Sequence, residues 1–257
     1  MRLAASLTMA MLSTALMLHA QAPAPQADPA KAAPLPQAYN PHDHALAQDF
    51  GQLGRYRAAN QQLPAPTPDQ PRVLFYGDSI TDGWKLDQFF PGKGYINRGI
   101  GGQTTPQMLV RLRQDVIDLE PQVLVLLAGT NDLAGNTGPM TIEQTEENFT
   151  TIAELARLHH IALIFSSITP VNNYIHPDML TGRPLEKILA LNTWLKSYCQ
   201  ANHLIYLDYY PSMVDAQGEL QKPLSNDGLH PNAAGYAIMA PLAQQAITAG
   251  LAQPSTP

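Results

Sequence analysis

From Arg72 onward the chain alternates short, mostly apolar runs with longer amphipathic ones, and this alternation limits the fold more than any other feature. Val73 to Tyr76, Tyr95 to Asn97, Val123 to Ala128, Ile161 to Ser167 and Leu204 to Leu207 are too short for buried helices and read as strands. Val123 to Ala128 holds no polar residue, as expected of a strand covered on both faces. Helical patterns lie between them. Thr104 can cap a helix with an apolar face of Met108, Leu109, Leu112, Val116 and Leu119. Thr141 and Gln144 make a capping box ahead of Ile142, Phe149, Ile152 and Leu155. Residues 184–201 turn Leu185, Ile188, Leu189, Leu195 and Tyr198 inward, and Pro231 opens a last helix over 232–249. Strand and helix in turn predict a three-layer α/β fold with a five-stranded, doubly wound parallel sheet in the order 2-1-3-4-5. Such sheets bind ligands at the carboxyl ends of their strands, so chemically capable residues should follow the strands directly.

They do. Gly77-Asp78-Ser79-Ile80-Thr81 follows the first strand, and Gly99-Ile100-Gly101-Gly102-Gln103-Thr104-Thr105 follows the second. Gly129-Thr130-Asn131-Asp132 follows the third, and Asp227-Gly228-Leu229-His230 comes after the fifth strand and a loop. Any one of these is an ordinary turn or helix start. Together they resemble the four blocks of the SGNH, or GDSL, hydrolases, which contribute a Ser, a Gly, an Asn and a His. The resemblance runs from about Arg72 to the last helix, with Ile80 where the family name has Leu. The second block is similar to the catalytic subunits of platelet-activating-factor acetylhydrolase and to bacterial carbohydrate acetylesterases. The elbow Gly-x-Ser-x-Gly of ordinary α/β hydrolases is not met, because Thr81 stands at its fifth position. The resemblance therefore implies the flavodoxin-like fold of the SGNH type.

The chemistry of the residues agrees. A serine hydroxyl becomes a useful nucleophile when a base takes its proton during attack. His230 can be that base, since imidazole titrates near neutral pH. Asp227, three residues earlier, can reach the imidazole within one turn and fix its tautomer. Ser79, Asp227 and His230 are thus the expected triad. The backbone N–H of Ser79, the N–H of Gly102 and the side-chain amide of Asn131 are the expected oxyanion donors; the family pattern, rather than spacing, points to Gly102 over Gly101. Asp78, Trp84, Asn172 and Tyr174 are candidate substrate contacts, with Trp84 equally readable as core and Asp78 as a brace of the serine turn. This chemistry calls for no cofactor, and neither His42 with His44 nor His159 with His160 makes a closed zinc set.

The rest of the chain sets the context. The net charge is -6 with no basic cluster, which argues against a nucleic-acid partner or an anionic membrane surface. Arg2, the apolar stretch Leu3 to Leu18 and Ala20-Gln21-Ala22 predict a cleavable signal peptide over residues 1–22. No cysteine stands at the cleavage site, so a lipid anchor is not expected, and the single Cys199 excludes an intramolecular disulfide. Residues 23–42 read as an Ala/Pro-rich linker, 43–70 as a helix and a Pro-rich connection, and 71–251 as the catalytic domain. The expected product is a secreted or periplasmic esterase without stable membrane insertion. It would remove short acyl groups, acetyl foremost, from carbohydrates. A lysophospholipase, lipase or thioesterase of the same fold is the alternative within the family. A non-catalytic carbohydrate-binding module is the alternative outside enzymes, and the complete set of Ser, Asp and His speaks against it.

Overall fold

The computed structural model describes residues 49–67 and 70–253. Five strands form one sheet: β1 (Val73–Gly77), β2 (Ile96–Gly99), β3 (Val123–Leu127), β4 (Ala162–Ser166) and β5 (Ile205–Leu207). All pairings are parallel and the order is β2-β1-β3-β4-β5, as the sequence predicts. Gly77 is in register with both Gly99 and Leu127, so three strands end on one line and their following loops emerge side by side.

Four long helices cover the sheet: α1 (Thr105–Asp115), α2 (Ile142–Leu158), α3 (Leu185–Asn202) and α4 (Ala233–Leu251). Side chains alternate across a strand, so each face draws on every second residue. On one face Leu74, Tyr76, Leu124, Leu126, Leu163 and Phe165 pack against α1, α2 and α3. On the other, Val73, Phe75, Val123, Val125 and Ile164 meet Met239, Ala243 and Ile247 of α4. Gly250 and the small residues of α4 let it lie close: a Cβ at Gly250 would stand 3.2 Å from Val123 Cγ2.

Trp84 belongs to this second face. It is 3% exposed and stacks on Tyr236 with ring centroids 5.1 Å apart, so it is a core side chain and not a pocket wall. Cys199 is buried in the first face, with its thiol 3.9 Å from Ile205 O of β5, and burial pushes that thiol up to about 12, which leaves it inert.

The predicted signal peptide, the linker and the start of the helix expected at residue 43 lie outside the described residues. From Asp49 the expected long helix is reduced to Arg57–Gln61, preceded by turns. The reason is local. The Asp49 carboxylate accepts from Leu53 N–H (2.8 Å) and Gly54 N–H (3.0 Å), which closes a turn instead of a helix. Side chains of the main domain take the carbonyls a helix would use. Gln107 donates to Phe50 O (2.9 Å), Gln103 to Gly51 O (3.1 Å) and Gln114 to Leu53 O (2.7 Å).

One charged pair sits inside the first face. Arg111 and Asp115 of α1 are both fully buried, 3.3 Å apart. The Arg111 guanidinium also donates to Gln103 Oε1 (2.5 Å), Arg98 O (2.8 Å) and Gly77 O (3.0 Å), and lies 4.1 Å over the Tyr76 ring. It therefore binds together the ends of β1 and β2 and the loop that follows β2.

Candidate active site

The chain turns sharply after β1. Asp78 ends the extended segment and its Oδ1 accepts from Ile80 N–H (2.9 Å), which starts the helical turn Ser79–Asp82. The Tyr236 hydroxyl, from α4, donates to Ile80 O (2.9 Å) and ties the same turn from the other side. Ser79 is left half-buried at the top of the sheet.

Across from it lies a second tight turn, Ser225 to His230. Asp227 Oδ1 accepts three times: from the Ser225 hydroxyl (3.1 Å), Leu229 N–H (2.9 Å) and His230 N–H (2.8 Å). Asp227 Oδ2 faces His230 Nδ1 at 2.6 Å. A carboxylate only accepts, so Nδ1 carries a hydrogen, and in the neutral imidazole Nε2 is then the acceptor. That Nε2 lies 2.9 Å from Ser79 Oγ. Burial acts to raise the Asp227 carboxyl, but the hydrogen bonds from the His230 ring and from the His230 and Leu229 amides outweigh it and hold the carboxyl well below its ordinary range. The turn needs glycine at 228. Its φ is +86°, and a Cβ there would meet Asn172 O at 2.1 Å.

The loops after β2 and β3 are laced together beside Ser79. Gly101 N–H donates to Asp82 Oδ2 (3.1 Å), which occupies that amide. Gly102 has φ +77°, and its carbonyl accepts from the Asn136 side chain (3.0 Å). Asn131, in the helical turn Thr130–Leu133, is buried, and its Nδ2 donates to Gln103 O (3.1 Å). Asp132 is buried and accepts from Thr105 N–H (3.0 Å) and Thr105 Oγ1 (2.5 Å), which fixes the start of α1 against the third block.

The sequence-predicted residues thus divide. Ser79, Asp227 and His230 meet in a chain of two short contacts. Gly102 lies in the loop after β2, to which the Asn131 side chain donates at Gln103 O. The four candidate substrate contacts do not join this group as such. Asp78 and Trp84 are buried. Asn172 is buried too, donating to Leu220 O (2.9 Å) and accepting from Tyr174 N–H (3.1 Å). The Tyr174 hydroxyl donates to Ser225 O (2.6 Å), so it steadies the Asp227–His230 turn from behind.

Sequence reading missed Arg183. Its Nε donates to Thr130 Oγ1 (3.1 Å) and its Nη2 to Asn131 Oδ1 (3.4 Å). It stands between Gly182 and Pro184, where no periodicity marks it. Ser225 was missed as well, although a serine two residues before a turn aspartate is a recognisable local hydrogen-bonding signal.

Asp78 gives a pH-dependent stability. Burial first, and the neighbouring Asp132 after it, push its carboxyl up to about 7, while the Ile80 amide works the other way. Its Oδ2 has no hydrogen-bond partner among the described residues. A folded-state pKa above the unfolded value means the native state holds more protons between about pH 4 and 7. Stability from this group is therefore greatest in acid and falls as pH rises through that window. Asp78→Asn keeps the acceptor for Ile80 and cannot ionise. Its stability relative to wild type should rise by a few kcal/mol between pH 5 and 8. Parallel urea-denaturation curves for the two proteins at both pH values would contradict this.

With this geometry in place, the comparisons are informative. The model of the GDSL-like lipase/acylhydrolase family matches residues 75–238. A candidate acylhydrolase from Bacteroides fragilis is 42% identical, with a TM-score of 0.75 over 79% of this chain and 99% of that one. A GDSL-like lipase from Bacteroides thetaiotaomicron is 38% identical, with a TM-score of 0.74 over 79% of this chain and 100% of that one. An uncharacterized lipoprotein, YqeF, of Bacillus subtilis is 38% identical over 118 residues, 38% of this chain; the match spans 49% of that relative's length, about half. The matched region runs from within β1 into α4, over more than half of the chain, and the chain belongs to the GDSL-like lipase/acylhydrolase family.

Proposed function

We propose that this protein is a serine ester hydrolase that removes short acyl groups, acetyl foremost, from carbohydrates. The observation that carries the reading is the run of contacts from Asp227 Oδ2 through the His230 ring to Ser79 Oγ, 2.6 and 2.9 Å long. In the first half-reaction Ser79 Oγ attacks the ester carbonyl carbon while His230 Nε2 takes the hydroxyl proton. The Asp227 carboxylate stabilises the imidazolium that forms. Negative charge collects on the carbonyl oxygen, and the N–H groups of Ser79, Gly102 and the Asn131 side chain are the donors for it. Occupation of the Gly101 amide by Asp82 favours Gly102 as the donor of that loop. The tetrahedral intermediate then breaks its bond to the alcohol oxygen, which leaves with the proton from His230. Water, deprotonated by the same imidazole, attacks the acyl-serine, and the acid is released with Ser79 reprotonated.

The short-acyl reading draws support from the groups around the serine. Asp82, Asn131 and Asn136 are polar, and a polar rim serves a hydroxylated alcohol better than a long acyl tail, whose affinity comes from apolar burial. Export is part of the proposal. No helix among the described residues is long and apolar enough to cross a membrane. The apolar N-terminal stretch and the lipoprotein relative both support an extracytoplasmic place of action.

The test uses the purified protein on p-nitrophenyl acetate, butyrate and octanoate, followed by acetylated xylan and pectin. The expected result is a kcat/KM for acetate at least about tenfold above that for octanoate. A fluorophosphonate probe should label Ser79 and no other serine, as read by peptide mapping. Preference for octanoate would move the protein to the lipase or thioesterase alternative, and failure to label Ser79 would overturn the nucleophile.

A further inference from the structure

We propose that Arg183 is a positioning residue that fixes the flip of the Asn131 carboxamide; the inference rests on the ester-hydrolase reading above. A side-chain amide has two ends of nearly equal shape and opposite hydrogen-bonding character. Here each end meets a partner that accepts only one orientation. Asn131 Nδ2 donates to the carbonyl of Gln103 (3.1 Å), and Asn131 Oδ1 accepts from Arg183 Nη2 (3.4 Å). Turning the amide over would set its oxygen against a carbonyl and its N–H groups against a cation. Both contacts would then be repulsive. In the observed orientation one amide hydrogen goes to Gln103 and the second is left to be donated to a developing oxyanion.

Arg183 suits this task because its own geometry is held. Its Nε donates to Thr130 Oγ1 (3.1 Å), the residue immediately before Asn131, and its Nη1 lies 3.4 Å from Met179 Sδ one turn back. The planar guanidinium thus spans two successive residues of the third block, which a lysine ammonium cannot do with the same fork. Its positive charge beside the amide oxygen also polarises the carboxamide, which makes the remaining N–H a stronger donor. None of this requires Arg183 to touch substrate.

The role predicts a non-additive pattern. Arg183→Met keeps the length of the side chain and removes its donors. It should lower kcat about 10- to 100-fold, less than the 10²- to 10³-fold loss expected when the Asn131 donor is deleted by Asn131→Ala. KM should stay within about twofold, because the lost interaction belongs to the transition state. In the Asn131→Ala background the same Arg183→Met change should cost less than about twofold, since the amide it positions is gone. Active sites are counted by fluorophosphonate titration, which a merely structural loss would reduce and a positioning loss would leave intact. Should the methionine variant fold poorly, Arg183→Lys is measured in the same cycle. It should lose several-fold in kcat beside Asn131 and almost nothing without it. Effects of Arg183 and Asn131 that multiply, or a change confined to KM, would overturn the proposal. Ser79→Ala separates the two levels. If it retains its rate, the hydrolase reading fails; if it is inactive while the Arg183 and Asn131 effects multiply, only the positioning role fails.

Discussion

Replacing Ser79 by alanine is expected to lower kcat for an acyl ester by about 10⁴- to 10⁶-fold, with the melting temperature changed by no more than about 2 °C. The size follows from the unity of the site. The imidazole is oriented by Asp227 for one purpose, to accept the Ser79 proton, and without the hydroxyl neither the base nor its carboxylate has anything to act on. What survives is whatever rate bound water reaches with help from the oxyanion donors. The small effect on stability follows from position. Ser79 is half-buried at the start of its helical turn, while the backbone of that turn is fixed by Asp78 and Tyr236 instead. Steady-state kinetics and a thermal melt on the same sample decide the matter. A variant that keeps more than about a hundredth of wild-type turnover would remove Ser79 from the mechanism.

The second large effect concerns stability. Arg111→Met should cost about 3–5 kcal/mol, because it takes the ion-pair partner from the fully buried Asp115 carboxylate, which keeps only the amide donors of Asn60 and Gln114. The Arg98 and Gln103 acceptors lose a donor at the same time, and Tyr76 loses the cation above its ring. Removing both charges, as in Arg111→Met with Asp115→Leu, should be less harmful than the single change, since the worst consequence is an uncompensated charge in the core. Urea denaturation of the three proteins tests the order. A single variant less than about 1 kcal/mol below wild type, or a double variant worse than the single, would show that the pair is not what holds this end of the sheet.

Much of this fold was legible because burial on both faces forces strand sequences to be continuously apolar, and no helix of this size shows Val123 to Leu127 in that form. The cap at Thr104 and the capping box at Thr141 placed two helix starts to the residue. The site was legible for a different reason. Its reacting groups follow strands whose order the connectivity dictates, so loops distant in sequence had to open on one edge. What escaped was set by tertiary contact. The segment after Asp49 carries a helical spacing of Phe50, Leu53 and Tyr56, yet glutamines reaching from the main domain take its carbonyls. Trp84 has nothing in its neighbours to distinguish a pocket wall from a core residue; only its stacking on Tyr236, far along the chain, does so. Arg111 and Asp115 stand four residues apart on the stripe that carries Met108 and Leu112, a spacing that pairs charges on any helix face; only packing against the sheet makes this pair a buried one.

The Asp227–His230 turn has a consequence for when the protein becomes competent. The carboxylate and imidazole come prepaired in one short loop, but the hydroxyl they serve was synthesised 151 residues earlier. That loop is held by the start of α4, whose Asn232 side chain accepts from the amides of Ala234 and Gly235 and donates to Pro223 O. Under the proposed mechanism ester hydrolysis requires this C-terminal segment to be in place against the turn after β1, so regain of activity during refolding would report its docking.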